Sequence, residues 1–220
     1  MNTPQLFDFL AGLAQHNERD WFQARKATYD QFRRDFETAV AGWLRELTAT
    51  DPTLAGLEPK KCIFRIYRDV RFSKNKDPYK THFSAYFSGG GKAGNMPGYY
   101  VQLGPNNQTL IAGGLYEPDK EQLARIRQEI DYNGAALHRL FAAPEFQRYY
   151  TGLAGDKLKK APAGYAPDHP DIEWLKHKSF IVSHPIPDAQ ARRLDLATQV
   201  PAALRAMYPF CEFLREAVAG

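Results

Sequence analysis

Apolar side chains recur at helical spacing in the first part of the chain. Leu6, Phe9, Leu10 and Leu13 lie three or four residues apart, which predicts an amphipathic helix. The same period predicts a second, antiparallel helix that ends at Asp51-Pro52 and contains Tyr29, Phe32, Phe36, Val40, Trp43, Leu44 and Leu47. Asn17, followed by an acidic residue at position 20, is the predicted N-cap of that helix.

After Lys60 the pattern changes to alternation. It predicts a strand with an apolar face of Cys62, Phe64, Ile66, Val70 and Phe72 and a polar face of Arg65, Tyr67, Asp69 and Arg71. Arg68 falls on the apolar face, where an unpaired guanidinium is costly. We therefore expect Arg68 to be at least half-buried beside a carboxylate, unless a bulge turns it outward.

Further strands and helices are predicted along the rest of the chain. A second strand contains Phe83, Ala85 and Phe87, and "YYVQL", "TLIAGG" and "KSFIVS" are three more, with "GPNN" as a turn. Helical patterns begin at Pro118-Asp119 and, near the end of the chain, at Asp188. The prediction is a single α+β domain over residues 1–220. Its antiparallel sheet has about four or more strands, roughly 60–114 plus 178–183, and N- and C-terminal helices flank it.

Composition narrows the class of protein. The chain is 44% hydrophobic and 13% aromatic, which is typical of a protein with a packed core. Two cysteines make neither a disulfide framework nor a CxxC metal pair. No signal peptide and no apolar run of about 20 residues is found, so we expect a cytoplasmic protein without a membrane partner.

The positive charge is concentrated in one segment. Residues 60–82 hold eight lysines and arginines and two aspartates, a net charge of +6, so with +4 overall the remainder stands at −2. A local positive field attracts phosphates, carboxylates or nucleic acid. The alternative is a solvated basic loop without a ligand.

The polar face of the first predicted strand supplies candidate ligand-binding residues. Arginine forks match phosphate and carboxylate groups, and the lysines of the following loop add point charges. His82, Ser84 and Tyr86 alternate onto one face of the next strand. The candidate ligand-binding residues are Arg65, Tyr67, Arg68, Asp69, Arg71, Lys76, Tyr79, Lys80 and His82. The competing interpretation is cross-strand ion pairing, with Asp69 bridging an arginine.

Other motifs carry weaker signals. The glycines at 89–91 lack the spacing of a phosphate-binding loop and indicate a hinge, so no nucleotide cofactor is expected. "DHPD" at 168–171 has no partner at metal-ligand spacing, so no metal is expected. No GxSxG nucleophile motif is present.

The run "RIYRDVRFSKNKDPYKTH" resembles the signature of a mostly bacterial family, the domain of unknown function 2461. The segments "NERDWFQARKATYD", "PGYYVQL", "GGLYEPD", "LKKAPAGYAPDHP" and "HKSF" extend the resemblance over nearly the whole chain. It implies that this family is recognised by the positions Arg65, Arg68, Asp69, Arg71, Phe72, Lys76, Tyr79 and Lys80. It implies no activity.

Three functional hypotheses follow. The first is binding of a phosphorylated or other anionic small molecule by the basic segment Arg65–His82. The second is an enzyme in which Asp69 or His82 acts as acid or base while arginines hold the substrate. The third is a nucleic-acid-associated protein that uses Tyr67, Phe72 and Tyr79. Nucleic acid ranks third because the basic residues are confined to one segment.

Overall fold

The computed structural model describes residues 1–92 and 94–219. Within them the helices are α1 (Thr3–Gln15), α2 (Arg19–Ala24), α3 (Lys26–Thr50), α4 (Pro59–Cys62), α5 (Lys120–Ala142), α6 (Pro144–Gln147), α7 (Ile172–Leu175), α8 (Asp188–Ala191) and α9 (Gln199–Ala219). The strands are β1 (Phe83–Phe87), β2 (Gly98–Leu103), β3 (Leu110–Leu115), β4 (Leu153–Ala154) and β5 (Phe180–Pro185). In the described ranges, no helix is long and apolar enough to cross a membrane.

The five strands form one antiparallel sheet in the order β1-β2-β3-β5-β4. This arrangement, with helices before and after the sheet, confirms the predicted α+β class. The predicted "GPNN" turn joins β2 to β3, and its Asn106 and Asn107 adopt φ of 62° and 57°. Asparagine tolerates this left-handed conformation, which explains why the turn was recognisable.

One face of the sheet is buried against the helices. It carries Phe83, Ala85, Phe87, Tyr99, Val101, Leu103, Ile111, Leu115, Phe180 and Val182. Helix α9 packs directly on β3, where a Cβ on Gly113 would lie 2.2 Å from the sulfur of Met207. Glycine is therefore required for that close approach. The opposite face, called here the open face, is only partly covered.

A buried ion pair fastens the end of α3 to α9. The Asp51 carboxylate is fully buried and lies 2.9 Å from Nη1 of Arg215. The same carboxylate accepts hydrogen bonds from the hydroxyl of Tyr99 at 2.7 Å and the hydroxyl of Thr53 at 2.6 Å. These bonds offset the cost of burying a carboxylate.

Two local predictions are wrong. Residues 62–72 do not form a regular strand, because only isolated bridges at Ile63 and Tyr67 pair this segment. The alternation also fails at its end, where Phe72 is 95% exposed. Asn17 is not an N-cap; Glu18 precedes α2, and Asn17 instead bonds the backbone of Tyr79.

Candidate functional site

The basic segment folds as an irregular ribbon of two chain stretches beside β1. Ile63 pairs with Ala85 and Tyr67 with Tyr79. Ile63 and Tyr67 are four residues apart, whereas their partners are six apart, so two extra residues bulge from the second stretch. Thr81 and His82 lie in that bulge. The bulge explains why a regular strand does not continue through the ribbon.

The ribbon is anchored to the helices by aromatic packing and one amide. Tyr79 is buried and stacks on Phe22 with ring centroids 4.1 Å apart. The Asn17 side chain donates to the Tyr79 carbonyl at 2.9 Å and accepts from its N–H at 3.0 Å. Tyr67 is 46% exposed and packs against Tyr79 at 5.4 Å. These two predicted ligand-binding tyrosines therefore contact the core side of the ribbon.

We call residues 68–78 the tip loop. Several of its charged side chains bond to other groups of the same loop. Asp69 and Arg71 form an exposed ion pair, with Arg71 donating through Nε at 3.0 Å and Nη2 at 2.7 Å. Hydrogen bonding from Arg71 lowers the pKa of Asp69. Lys76 donates to the Val70 carbonyl at 3.0 Å. Asp69 and Arg71 thus pair with each other, and Lys76 bonds a backbone carbonyl of the same loop.

Arg68 also braces the tip loop. Its guanidinium donates to the Asp77 carbonyl at 3.0 Å and to the Ser73 hydroxyl at 3.4 Å. The side chain is half-buried, as predicted, but the expected carboxylate partner is wrong. A backbone carbonyl is sufficient because the guanidinium retains contact with water.

A second group of cations lies at the other end of the ribbon. The ammonium groups of Lys80 and Lys92 lie 5.0 Å and 5.3 Å from the ring centroid of Phe64. Burial lowers the pKa of Lys80, and the nearby charges of Arg65 and Lys92 lower it further. We call Arg65, Lys80 and Lys92 the cationic cluster. Sequence reasoning found the first two and missed Lys92.

None of the three clustered cations has a carboxylate within 4.0 Å among the described residues. Lys92 instead donates to the Ile63 carbonyl at 2.8 Å. Like charges at close range without an acid raise the free energy of the folded state. A negative charge bound at the cluster would therefore lower the free energy of the folded state.

His82 borders the cationic cluster. Its Cβ lies 2.9 Å from where a Cβ on Gly104 would be, at the end of β2. Burial and then the charge of Lys80 lower the pKa of His82 from 6.5 to about 4. The imidazole is therefore neutral at neutral pH and available as a proton acceptor.

Next to the cluster, the open face holds a cleft of about 490 Å³. Lys92 belongs to both the cluster and the cleft, and Phe64, whose ring Lys80 and Lys92 approach, also lines the cleft. The other lining residues are Tyr86, Gly94, Asn95, Tyr100, Ala112, Gly113, Gly114, Leu115, Tyr116 and Ile181. The volume lies within the range of small-molecule sites, roughly 300–1,000 Å³.

Strand register assembles this cleft from residues distant in sequence. Tyr86 of β1 lies opposite Tyr100 of β2, which lies opposite Ala112 of β3. The Tyr100 hydroxyl donates to Gln102 Oε1 at 2.6 Å. Burial raises the pKa of Tyr86 to about 12, so its hydroxyl stays protonated. The cleft has aromatic walls beside a small alanine on its floor.

The loop between β1 and β2 borders the cleft and is held in place at two points. The Tyr86 hydroxyl donates to the Met96 carbonyl at 2.8 Å. The Asn95 side chain donates to Gln122 Oε1 at 2.7 Å, and Gln122 Nε2 donates to the Asn95 backbone carbonyl at 2.6 Å. Gln122 is also part of the capping box of α5. The predicted hinge glycines thus belong to a loop fastened to the sheet and to a helix.

The "DHPD" segment makes two histidine–aspartate contacts with α5. His169 Nε2 lies 2.9 Å from Asp131, and His138 Nε2 lies 2.6 Å from Asp171. Within residues 1–92 and 94–219, no group of three or more His, Cys, Asp or Glu side chains is arranged to hold a metal. The segment packs against a helix through these two contacts.

Fold and site together define a small α+β protein with a five-stranded antiparallel sheet, helices on one face and a cation-bordered cleft on the other. The chain belongs to the family DUF2461, described as a conserved hypothetical protein, whose model matches residues 5–213. Searches of curated proteins and of solved structures found no match.

Proposed function

We propose that this protein binds a small organic anion. Its phosphate or carboxylate group contacts the cationic cluster, and the rest of the ligand occupies the open-face cleft. The observation that carries the proposal is the convergence of Lys80 and Lys92 on Phe64, with Arg65 nearby and no carboxylate partner in the described part of the chain.

Bringing three cations together raises the free energy of the folded protein. Burial, and then the nearby charges of Arg65 and Lys92, disfavour the protonated form of Lys80 and lower its pKa. An anion placed among the three cations removes this repulsion and gains charge-assisted hydrogen bonds. Binding and relief of repulsion therefore act in the same direction.

The cleft favours a ligand with a flat apolar or aromatic part. Phe64, Tyr86, Tyr100 and Tyr116 contribute four aromatic rings to its lining. Ala112 leaves room on the floor for a ring to lie along the sheet. Aromatic walls bury planar groups well and stack against them.

A second candidate is an enzyme that acts on the same ligand. His82 favours it, because a neutral imidazole beside Lys80 is available to accept a proton close to the bound anion. Asp69 is a weaker candidate for the acid or base, since it is occupied by Arg71 in the tip loop. His82→Gln separates the two: anion binding is retained, and any turnover is lost.

The test is a thermal-shift and calorimetric screen of the purified chain. Inorganic phosphate, sugar phosphates, aromatic carboxylates, mononucleotides and short single-stranded DNA form the panel. A ligand at 100 times its dissociation constant stabilises the fold by about 2.7 kcal/mol, which is readily visible. We expect aromatic anions to produce larger shifts than inorganic phosphate.

The matched variants are Lys80→Met and Lys92→Met, with Lys74→Met of the tip loop as control. Each removes one charge, but only the first two alter the cluster. We expect at least a tenfold loss of affinity in the cluster variants and none in the control. Absence of any shift across the panel, or equal losses in all three variants, contradicts the proposal.

A further inference from the structure

Phe72 projects from the tip loop into solvent. Its side chain is 95% exposed, the highest value among the exposed large hydrophobic residues described. Of the cations in the described ranges, only the Arg71 guanidinium lies over its ring, at 5.7 Å from the centroid. Exposure of a whole phenylalanine is unfavourable unless a partner covers it.

The tip loop is built to hold Phe72 in place. Besides the bonds of Arg68, Arg71 and Lys76 given above, the Asn75 side chain accepts from the Asp77 N–H at 2.7 Å and donates to its carboxylate at 2.9 Å. Because these bonds order the loop before any encounter, little further entropy is lost on binding. An ordered loop that presents one exposed aromatic ring has the form of an interface anchor.

The surroundings of Phe72 specify the chemistry of its partner. Arg71, which is paired with Asp69, lies over the ring, and Lys74 and Lys76 are exposed in the same loop. The complementary surface is an apolar recess with a carboxylate rim. Since Phe72 is 95% exposed, it does not occupy such a recess in its own chain.

The chain carries a recess of this kind between α3 and residues 194–197. Its volume is about 530 Å³, and its lining includes Gly42, Trp43 and the charged residues Asp35, Arg45, Glu46 and Asp195. Three carboxylates and one arginine are among these residues. Glu46 is paired with Arg205 at 2.7 Å. Asp35 and Asp195 accept hydrogen bonds from uncharged groups only, and they outnumber the one arginine of the lining, Arg45. We call this cavity the acidic recess.

We infer that the chain self-associates head to tail, with Phe72 of one copy in the acidic recess of a second copy. The two surfaces differ, so the contact is heterologous and leaves one anchor and one recess open at the ends. The charge division between residues 60–82 at +6 and the rest of the chain at −2 favours the same orientation. This inference is independent of the anion-binding proposal.

Sedimentation of the purified chain up to about 1 mM, the range of weak association, tests the inference. We expect the average mass to rise with concentration and to fall again at high salt. Phe72→Ser weakens association at least tenfold, whereas Tyr132→Ser, which alters a residue 75% exposed on α5, has no effect. Gly42→Leu fills the recess, since a Cβ there meets nothing within 4 Å, and it also abolishes association; Gly42→Ala does not.

Mixing the two defective variants gives the decisive result. The Phe72→Ser chain keeps its recess and the Gly42→Leu chain keeps its anchor, so an equimolar mixture forms a dimer and nothing larger. A wild-type chain that stays monomeric throughout, or a mixture that stays monomeric, overturns the inference. Binding of single-stranded DNA that depends on Phe72 in a monomeric chain likewise overturns it and assigns the loop to nucleic acid.

Discussion

The two ends of the ribbon carry the same kinds of residues in opposite electrostatic states. In the tip loop, Asp69 and Arg71 pair, and Arg68 bonds a carbonyl and a hydroxyl. At the base, Lys80 and Lys92 have no acid nearby in the described chain, and the pKa of Lys80 is lowered. The number of cations in a segment therefore does not locate an anion site. What matters is which cations lie near one another without a carboxylate among them.

The buried Asp51–Arg215 pair is the opposite extreme to the cationic cluster, because the charge of Arg215 is neutralised by a carboxylate inside the protein. Asp51→Ala leaves Arg215 and the Tyr99 hydroxyl without their acceptor inside the protein. We expect the free energy of unfolding in urea to fall by about 3–5 kcal/mol. Asp168→Ala, at an exposed position, is the control and has no effect. A loss under about 1 kcal/mol for Asp51→Ala contradicts this account of the pair.

His82 makes the base of the ribbon sensitive to acid. Its pKa falls from 6.5 in the unfolded chain to about 4 in the folded protein. Between these values the unfolded chain binds more protons, so stability declines as pH falls from 6.5 towards 4. His82→Asn reduces this decline by about 1–2 kcal/mol. Parallel urea titrations at several pH values measure it, and identical pH profiles for the two proteins contradict the prediction.

We expect Lys80→Met to change the stability of the fold far less than Asp51→Ala does. The variant keeps the apolar stem over Phe64 and removes a charge that two neighbouring cations disfavour. We expect the free energy of unfolding to stay unchanged or rise by at most about 1 kcal/mol. A marked loss of stability indicates instead that an acid compensates Lys80.

Arg71→Ala is expected to have the smallest effect of these substitutions. The Asp69–Arg71 pair is exposed on both sides, so solvent screens it. We expect no measurable change in melting temperature and no change in anion affinity. If Arg71→Ala abolishes anion binding, the site lies in the tip loop, as the sequence pattern alone suggested.

Strands with continuous alternation and clear turns were predictable. The segments around Phe83–Phe87, Gly98–Leu103, Leu110–Leu115 and Phe180–Pro185 all appear in the sheet. The segment 62–72 alternates as well, but its order depends on side-chain bonds and on a bulge at residues 81–82 in the opposite stretch. Alternation reports periodic spacing and carries no information about such contacts.

The site was predictable only in part, for a similar reason. Arg65, Lys80 and His82 were among the candidates because they lie in the charged segment itself. Lys92 follows a glycine run, and its approach to Phe64 depends on how the loop between β1 and β2 is fastened at Asn95. The cleft arises from strand register, which brings Tyr86 opposite Tyr100. Neither arrangement leaves a local signal in the sequence.

The most direct test of the central claim is a crystal of this protein soaked with phosphate and then with the best aromatic anion from the screen. We expect phosphate within hydrogen-bond distance of the ammonium groups of Lys80 and Lys92, and the aromatic ring in the cleft beside Tyr100. An anion bound only at Arg71 or Lys74 of the tip loop, with the cationic cluster empty, would contradict the account.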